Sequence, residues 1–493
     1  MQNFDVIVIG SGIGGLVAGA LLAHSGQQVM ILESHTVPGG AAQGFSRQGF
    51  QFDSGPSFYC GLSDCQGLNP LQQVLTRLGE SLATVVYDPL GHYHFPEASL
   101  AVYGNRERYQ QGIAQFTPQG AVEFAQFEQR LLKVYQGLKE IPAIELRGDW
   151  KIIPKLITNY GFSVLKLLPL LGDISSSVGQ IVDQTVSDPW VRRLIDLECF
   201  LLSGLKAEGT VTPEVAFMLG ERNDSTIEYP IGGTQAIVQA LVRGLTRFGG
   251  KLQLKTHVEK ILVKSGKVYG VQSQKGEKFY APIVISNATI WDTYTHLLNS
   301  SDLPQSYRQT ALKTPAVDSF MHLHLGIKAE GLENLTGHHV VVHDSNLDIT
   351  IPGNTCMISI PSVWDQNLAP AGYHLIHAYT LEPFLGWKKD EFYAQKKREK
   401  AEPLYQAIEK IIPDLRQRIT LELIGTPLTH ARYLRRYQGT YGPAIAANQG
   451  RFPGAFTPIQ GLYLVGDSTQ PGIGVPAVAA SGILCANCLL NRK

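Results

Sequence analysis

The strongest constraint on the fold is a glycine-rich loop between a predicted strand and a predicted helix. Residues 4–9 are an apolar, β-branched run of strand length, followed directly by Gly10-Ser11-Gly12-Ile13-Gly14-Gly15. Residues 16–24 have the pattern of a helix. In this context G-x-G-x-x-G binds a dinucleotide, because the glycines let the backbone approach a pyrophosphate and the helix start offers unpaired N–H groups. The sequence therefore predicts a dinucleotide site at its amino-terminal end.

An acidic residue at the end of the next predicted strand supports this site. The run Val29-Met30-Ile31-Leu32 is followed by Glu33, roughly 20 residues beyond the glycine loop. A carboxylate in this place accepts hydrogen bonds from a ribose 2′-hydroxyl and repels a 2′-phosphate. We expect a dinucleotide without a 2′-phosphate.

A second glycine loop indicates the class of dinucleotide. Pro38, Gly39 and Gly40 follow Glu33, and residues 49–56 read GFQFDSGP, which includes Asp53. The combination E-x(4)-P-G-G and F-D-x-G resembles the flavin-dependent amine oxidase and phytoene desaturase superfamily. This resemblance implies that Gly39 and Gly40 border a flavin and that the cofactor is FAD.

The carboxy-terminal end of the chain contains a second part of the same predicted site. Residues 461–465 form an apolar strand that ends at Gly466 and Asp467, and Gly472, Gly474 and Val475 lead into a helix of small residues, 477–490. An aspartate there can hold ribityl hydroxyls, and the helix start directs N–H groups toward the flavin. The resemblance implies that both ends of the chain enclose the cofactor.

The middle of the chain contributes one further cofactor residue. In the superfamily that this sequence resembles, the strand that begins at Val258 backs the adenine through main-chain groups. The sequence has no second G-x-G-x-x-G, so we expect no separate nicotinamide site and an electron donor to the flavin from outside the chain.

Composition excludes several other classes of protein. The chain has 42 basic and 42 acidic side chains, a balance that does not fit a nucleic-acid binder. The six cysteines lack the paired spacing of a disulfide framework, which indicates a reducing compartment. No cationic leader precedes the first strand, so we expect the mature chain to start near Met1.

His92 and His94 alternate on a predicted strand, but a third metal ligand is not evident. No metal site is therefore predicted.

Five segments restrict the resemblance to one branch of this superfamily. Residues 196–200, 228–233, 285–293, 425–433 and 439–443 together resemble the carotenoid cis–trans isomerase branch of the bacterial-type phytoene desaturase family over the whole chain. The branch implies FAD-dependent isomerisation of poly-cis carotenoids, with electrons lent to the polyene and returned. A carotenoid desaturase, a retinol-saturase-like redox enzyme and a prenyl-lipid carrier that resembles GDP-dissociation inhibitors remain alternatives.

Residues 151–172 are a candidate membrane contact. This segment is apolar, contains three lysines and is interrupted by Pro154 and Pro169. Such a segment can insert apolar side chains below lipid headgroups while its lysines reach phosphates. The alternative is a buried helical hairpin, since the prolines interrupt a long helix. With no uninterrupted apolar run of membrane-spanning length, we expect peripheral association on the cytoplasmic side.

Four polar residues are candidates for catalysis beside the flavin: Asp53, Glu198, Arg432 and Tyr441. An acid in an apolar pocket has a raised pKa and can transfer a proton. Each has a structural alternative, namely a loop cap for Asp53, a satisfied helix carboxylate for Glu198, an ion pair for Arg432 and a packed turn residue for Tyr441.

The sequence therefore predicts an α/β fold with two domains. A Rossmann-like, three-layer FAD-binding domain is expected from residues 1–70, 225–295 and 450–493. An inserted mixed-sheet and helical substrate domain is expected from residues 71–224 and 296–449.

Overall fold

The computed structural model describes residues 3–55, 57–64 and 67–490. The strands are β1 Val6–Ile9, β2 Val29–Leu32, β3 Gly44–Arg47, β4 Phe50–Asp53, β5 Thr84–Val86, β6 Gly91–His94, β7 Ser99–Val102, β8 Glu228–Pro230, β9 Lys251–Gln253, β10 Val258–Lys264, β11 Lys267–Ser273, β12 Lys278–Tyr280, β13 Ile283–Ser286, β14 Ser319–Lys328, β15 His338–Val342, β16 Thr355–Ser359, β17 Tyr373–Glu382, β18 Ile419–Gly425 and β19 Leu462–Leu464.

The helices connect and cover these strands. They are α1 Ile13–His24, α2 Pro70–Leu78, α3 Arg106–Ala114, α4 Pro118–Lys139, α5 Ile152–Leu167, α6 Leu171–Ser175, α7 Val178–Thr185, α8 Pro189–Ser203, α9 Thr212–Asp224, α10 Thr234–Arg247, α11 Ile290–Asp292, α12 Gln305–Leu312, α13 Tyr393–Glu409, α14 Leu415–Arg418, α15 Pro427–Leu434 and α16 Val475–Leu490.

A parallel sheet of strand order β19-β13-β1-β2-β9 lies at the centre of a three-layer unit. Val6 and Val8 of β1 pack against α1, α10 and α16 on one face. Ile7 and Ile9 pack toward the antiparallel sheet β10-β11-β12 on the other face. A parallel strand covered on both faces is apolar throughout, which explains the unbroken apolar run at 6–9. The predicted α/β fold with a three-layer unit is confirmed.

A larger mixed sheet has the order β18-β14-β17-β16-β15-β6-β7. Along β14, Met321, Leu323 and Leu325 point to one face, where they pack against α13. Phe320 points to the opposite face and packs with side chains of α4, α8 and α9. Because side chains alternate along a strand, one face of this sheet packs against α13 and the opposite face packs against α4, α8 and α9.

The candidate membrane segment forms α5, a short turn and α6, and its apolar side chains are largely exposed. Trp150 and Phe162 are each 73% exposed. Further exposed side chains of this surface are Ile153, Ile157, Leu165, Leu168 and Leu171. No residue of α5 is fully buried. The alternative of a buried hairpin is therefore wrong.

Within the described ranges, no helix combines the length and the apolar character that crossing a membrane requires.

Candidate active site

The glycine loop forms a narrow cradle at the carboxyl end of β1. Gly10 has φ +89°, and a Cβ at Gly15 would lie 2.4 Å from the carbonyl oxygen of Gly10. A Cβ at Gly12 would lie 2.6 Å from the side-chain nitrogen of Asn287, which follows β13. Gly12 also precedes the first turn of α1, so this residue lies where the helix N–H groups are open to a phosphate.

The two ends of the chain meet at this cradle, as the sequence predicts. Strand β13 pairs with β1 on one side and with β19 on the other. A Cβ at Gly14 would lie 2.9 Å from the backbone nitrogen of Gly466. The N–H of Gly466 donates to the hydroxyl of Ser481 in α16 at 3.0 Å. Residues from opposite ends of the sequence therefore form one wall.

The second glycine loop closes over the first. The N–H of Gly39 donates to the carbonyl of Ser11 at 3.0 Å. Gly39 and Gly40 have φ +122° and +58°, values that favour glycine. A Cβ at Gly40 would lie 3.2 Å from Cα of Gly12. Side chains at these positions would separate the two loops.

Glu33 lies at the edge of the cradle and is almost fully buried. Its carboxylate accepts from the N–H of Ser11 at 2.8 Å, from the hydroxyl of Ser11 at 2.7 Å and from the N–H of His35 at 2.7 Å. Val258, at the start of β10, lines the same cavity. Both residues therefore line the cavity beside the glycine cradle, and their contacts with a ribose and an adenine stay predictions.

Asp467 lines the cavity, but an arginine that the sequence analysis did not single out holds it. A guanidinium nitrogen of Arg436 lies 2.5 Å from the Asp467 carboxylate. Arg432, the predicted residue, lies on α15, is exposed and lines the cavity, with its guanidinium 5.6 Å from the centre of the Tyr433 ring. The ion pair thus comes from Arg436, which lies between the predicted segments 425–433 and 439–443, and not from Arg432.

Gly472, Gly474 and Val475 surround the start of α16. Gly472 and Gly474 have φ +133° and +100°, conformations that favour glycine. Gly474 and Val475 line the cavity next to Asp467. The start of α16 therefore opens to the same space as the start of α1.

One cavity of about 1490 Å³ joins this cradle to an apolar chamber. The chamber lies between the helices α8 and α9 and the mixed sheet, and its walls include Phe200, Leu201, Phe217, Met218 and Phe320. A bound dinucleotide in the cradle would therefore share a water-poor space with a large apolar ligand.

Tyr441 is the predicted catalytic residue that the structure places in the wall of this chamber. Its ring packs edge-on against the ring of Phe320, with the ring centres 4.7 Å apart. Its hydroxyl oxygen lies 3.4 Å from Nε2 of His430. Burial raises the pKa of the phenol far above its ordinary value. The hydroxyl therefore remains neutral at physiological pH.

Glu198 also lies at the cavity wall, but protein groups satisfy its carboxylate. Arg222 on α9 donates to it at 2.7 Å, and the hydroxyl of Tyr109 donates at 3.0 Å. Both Glu198 and Arg222 are almost completely buried. This arrangement matches the structural alternative for Glu198, and Arg222 is a partner that the sequence analysis missed.

Asp53 does not line the cavity among the residues described. Its carboxylate accepts from the hydroxyl of Tyr229 at 2.6 Å and from the N–H of Thr234, the first residue of α10, at 2.8 Å. Burial raises the pKa of this carboxyl to about 6. The carboxylate therefore has a structural role, but it satisfies an open N–H at the start of α10 and not its own loop, as the structural alternative expects.

Comparisons with known proteins agree with this geometry. Residues 13–490 match the family described as flavin containing amine oxidoreductase. The chain is 36% identical over 99% of its length, and 84% of the relative's, to prolycopene isomerase 2, chloroplastic, of an Oncidium hybrid cultivar.

Solved structures share the fold. A crystal structure of an oxidoreductase from Methanosarcina mazei matches 98% of this chain and 99% of its own, with a TM-score of 0.64 at 20% identity. A putrescine oxidase variant matches 100% of both chains, with a TM-score of 0.66 at 14% identity. The chain thus belongs to the flavin-containing amine oxidoreductase family and, within it, to the group of the prolycopene isomerases.

Proposed function

We propose that this chain is an FAD-dependent cis–trans isomerase of poly-cis carotenoids such as prolycopene, acting without net oxidation or reduction. The observation that carries the proposal is the single cavity that joins the dinucleotide cradle to the apolar chamber. The kinship with prolycopene isomerases supports the substrate class. A polyene has no polar group for recognition, so an apolar wall is the complementary surface.

The cradle fits FAD because its glycines leave the space that a pyrophosphate needs. A Cβ at Gly40 would press on Gly12, and Cβ atoms at Gly12 and Gly14 would press on Asn287 and Gly466, so side chains there would displace the walls of the cradle. Glu33 is positioned for the adenosine ribose, and Asp467 for the ribityl chain. When bound, FAD supplies a reversible electron donor, and electron donation to a polyene lowers the order of its double bonds so that they rotate. An external donor would reduce the flavin.

The residues of this chain exclude water and fix the polar groups at the chamber. Phe320 and Tyr379 form part of the apolar wall. Tyr441 holds a proton on its hydroxyl oxygen, next to His430. Arg436 fixes the Asp467 carboxylate. In a dry site such preorganised groups act more strongly than in water.

We also propose that the chain divides by function. The strands of the five-stranded sheet come from residues 1–70, 225–295 and 450–493, which would bind the cofactor. The strands of the seven-stranded sheet come from residues 71–224 and 296–449, which would bind the substrate. Helix α2, just beyond the first boundary, packs in the core of the cofactor unit.

Anaerobically reduced protein is expected to change the isomer composition of prolycopene in liposomes while the molecular mass stays the same. Chromatography of the isomers and mass spectrometry of the products measure the two quantities. The same protein left oxidised serves as the control, because the proposal requires electron donation. A mass change of two hydrogens would assign a desaturase or saturase instead. Protein that contains no flavin and binds the polyene unchanged would assign a carrier.

A membrane surface is the proposed source of the substrate. The chamber wall includes Leu138 and Ile141 at the end of α4. Leu167 of α5 lies close to Gly137, just before them. The exposed apolar surface of 150–171 thus adjoins the chamber. Lys155 and Lys166 pair with Glu145 and Glu140, so we attribute membrane binding to the apolar side chains.

Replacing Phe162 by aspartate is expected to weaken binding to phospholipid vesicles about 10- to 100-fold, since burial of one phenylalanine contributes about 1.5–3 kcal/mol. Vesicle flotation measures the bound fraction. Phe392→Asp is the matched control, because Phe392 is 63% exposed but lies far along the chain, next to α13. Equal weakening in both variants would contradict docking through α5.

A further inference from the structure

Four buried histidines form one layer behind the chamber wall, which we term the histidine layer: His322, His324, His377 and His430. His322 and His324 alternate on β14, so both side chains point to the chamber face of the sheet. His377 on β17 is the register partner of His324. His430 comes from α15 and stacks on His322, with ring centres 4.2 Å apart. None of the four is more than 8% exposed.

The hydrogen bonds of this layer leave nitrogen atoms unsatisfied. Nδ1 of His322 bonds to Nε2 of His377 at 2.9 Å, and Nε2 of His324 to the carbonyl oxygen of Asp53 at 3.3 Å. In the part of the chain that the structure describes, Nε2 of His322, Nδ1 of His377 and Nδ1 of His430 have no partner. Each such buried group costs about 1–3 kcal/mol. Several in one layer show that protein groups alone do not satisfy it. The unpartnered nitrogens of His322 and His377 lie on the far sides of their rings, while Nδ1 of His322 and Nε2 of His377 face each other.

The imidazoles of this layer suit a metal ion, which accepts nitrogen lone pairs, better than they suit a pathway for proton transfer. Burial lowers the pKa of His322 and His377 well below the ordinary value and that of His324 to about 4. The imidazoles are therefore neutral at physiological pH, and each carries one nitrogen lone pair that a metal ion can accept. His430 and His322 meet through their ring faces, a contact that does not pass a proton from nitrogen to nitrogen.

We propose that His322, His324 and His377 form a binding site for one divalent transition metal ion, with Zn²⁺ as the preferred ion. One ligand atom from each side chain lies within 4.8 Å of the others. A tetrahedral zinc site has Zn–N distances of about 2.0–2.1 Å, which places the nitrogens about 3.3 Å apart. Closing the site requires rotation of the nearly parallel rings and replaces the His322–His377 hydrogen bond by bonds to the ion.

The donor set specifies the class of ion. It contains only neutral imidazoles, which suit zinc, copper, iron and nickel and do not suit magnesium or calcium. All three ligands stand on two paired central strands of the mixed sheet, a rigid base. The ion would lie behind Tyr379, the register partner of His322, whose side chain lines the chamber. The site is thus distinct from the dinucleotide cradle.

Metal analysis of the tag-free, flavin-loaded protein tests this site. We expect about one zinc ion per chain in the wild type and an at least tenfold lower content, roughly, in His377→Phe, which keeps an aromatic ring but removes a ligand. His338→Phe is the matched control, because His338 is 1% exposed on β15 of the same sheet and lies outside the group. Wild-type protein without metal, or His377→Phe with wild-type content, would overturn the proposal.

A second histidine group provides a competing assignment. His92, His94 and His339 stack on the neighbouring strands β6 and β15, with Nε2 of His94 3.1 Å from Nδ1 of His339. His94→Ala should keep the full metal content. Loss of metal in His94→Ala together with retention in His377→Phe would assign the ion to this second group and refute the buried site.

A titration without a ligand variant covers the case in which His377→Phe does not fold. Chelator-treated wild-type protein is titrated with Co²⁺, and the difference spectrum against the untitrated flavoprotein is recorded. Saturation near one equivalent with tetrahedral d–d bands, unchanged in His94→Ala, supports the site. The absence of saturable binding overturns it.

Discussion

Replacing Gly12 by valine is expected to abolish flavin retention. Gly12 has an extended backbone, φ −63° and ψ 166°, that valine can adopt, so the effect is steric and local. The new Cβ would lie 2.6 Å from the Asn287 side chain, and its methyl groups would enter the space in front of α1. Flavin content after gel filtration, measured from the visible spectrum, should fall below about a tenth of the wild-type value.

The matched control replaces, by valine, a glycine that has free space around its Cβ position. A Cβ at Gly454 would meet no described atom within 4 Å, so Gly454→Val should keep its flavin. Circular dichroism of both variants separates loss of the cofactor from loss of the fold. A folded Gly12→Val protein with normal flavin content would refute the placement of the pyrophosphate.

The cradle could be predicted because its signals are local and steric. Residues 4–33 contain the strand, the glycine loop, the helix and the acidic strand end in one stretch, and the structure places Gly10, Gly12 and Glu33 around one space. The meeting of Gly14 with Gly466 required the resemblance as well. A sequence does not by itself give the order of strands in a sheet.

The polar partners could not be predicted, because they depend on the relative positions of elements. Arg432 lies on α15, which ends at Leu434. The next residue, Arg435, has φ +48° and turns the chain, so that Arg436 meets Asp467. Likewise, nothing local shows that Arg222 of α9 faces Glu198 of α8. The histidine layer needs the register of β14 and β17.

Replacing Arg222 by methionine is expected to lower the free energy of unfolding by about 3–5 kcal/mol, because the buried carboxylate of Glu198 loses its counter-ion. The pair is 2.7 Å apart, with side-chain exposures of 4% and 2%. Urea denaturation measures the change as a lower midpoint at an unchanged slope. Arg193→Met is the control, since the Arg193–Glu97 pair is partly exposed and should change stability by less than about 1 kcal/mol.

The double variant Glu198→Gln/Arg222→Met decides what the pair does. It removes both charges while glutamine still accepts the hydrogen bond from Tyr109, so most of the lost stability should return. If Glu198 only pairs with Arg222, the double variant also recovers isomerisation of prolycopene. A double variant that is stable, binds flavin and yet leaves the isomer composition unchanged would instead show that the Glu198–Arg222 pair, both of whose members line the cavity, acts on the substrate, since charge compensation restores a structural role but cannot restore a missing reacting group.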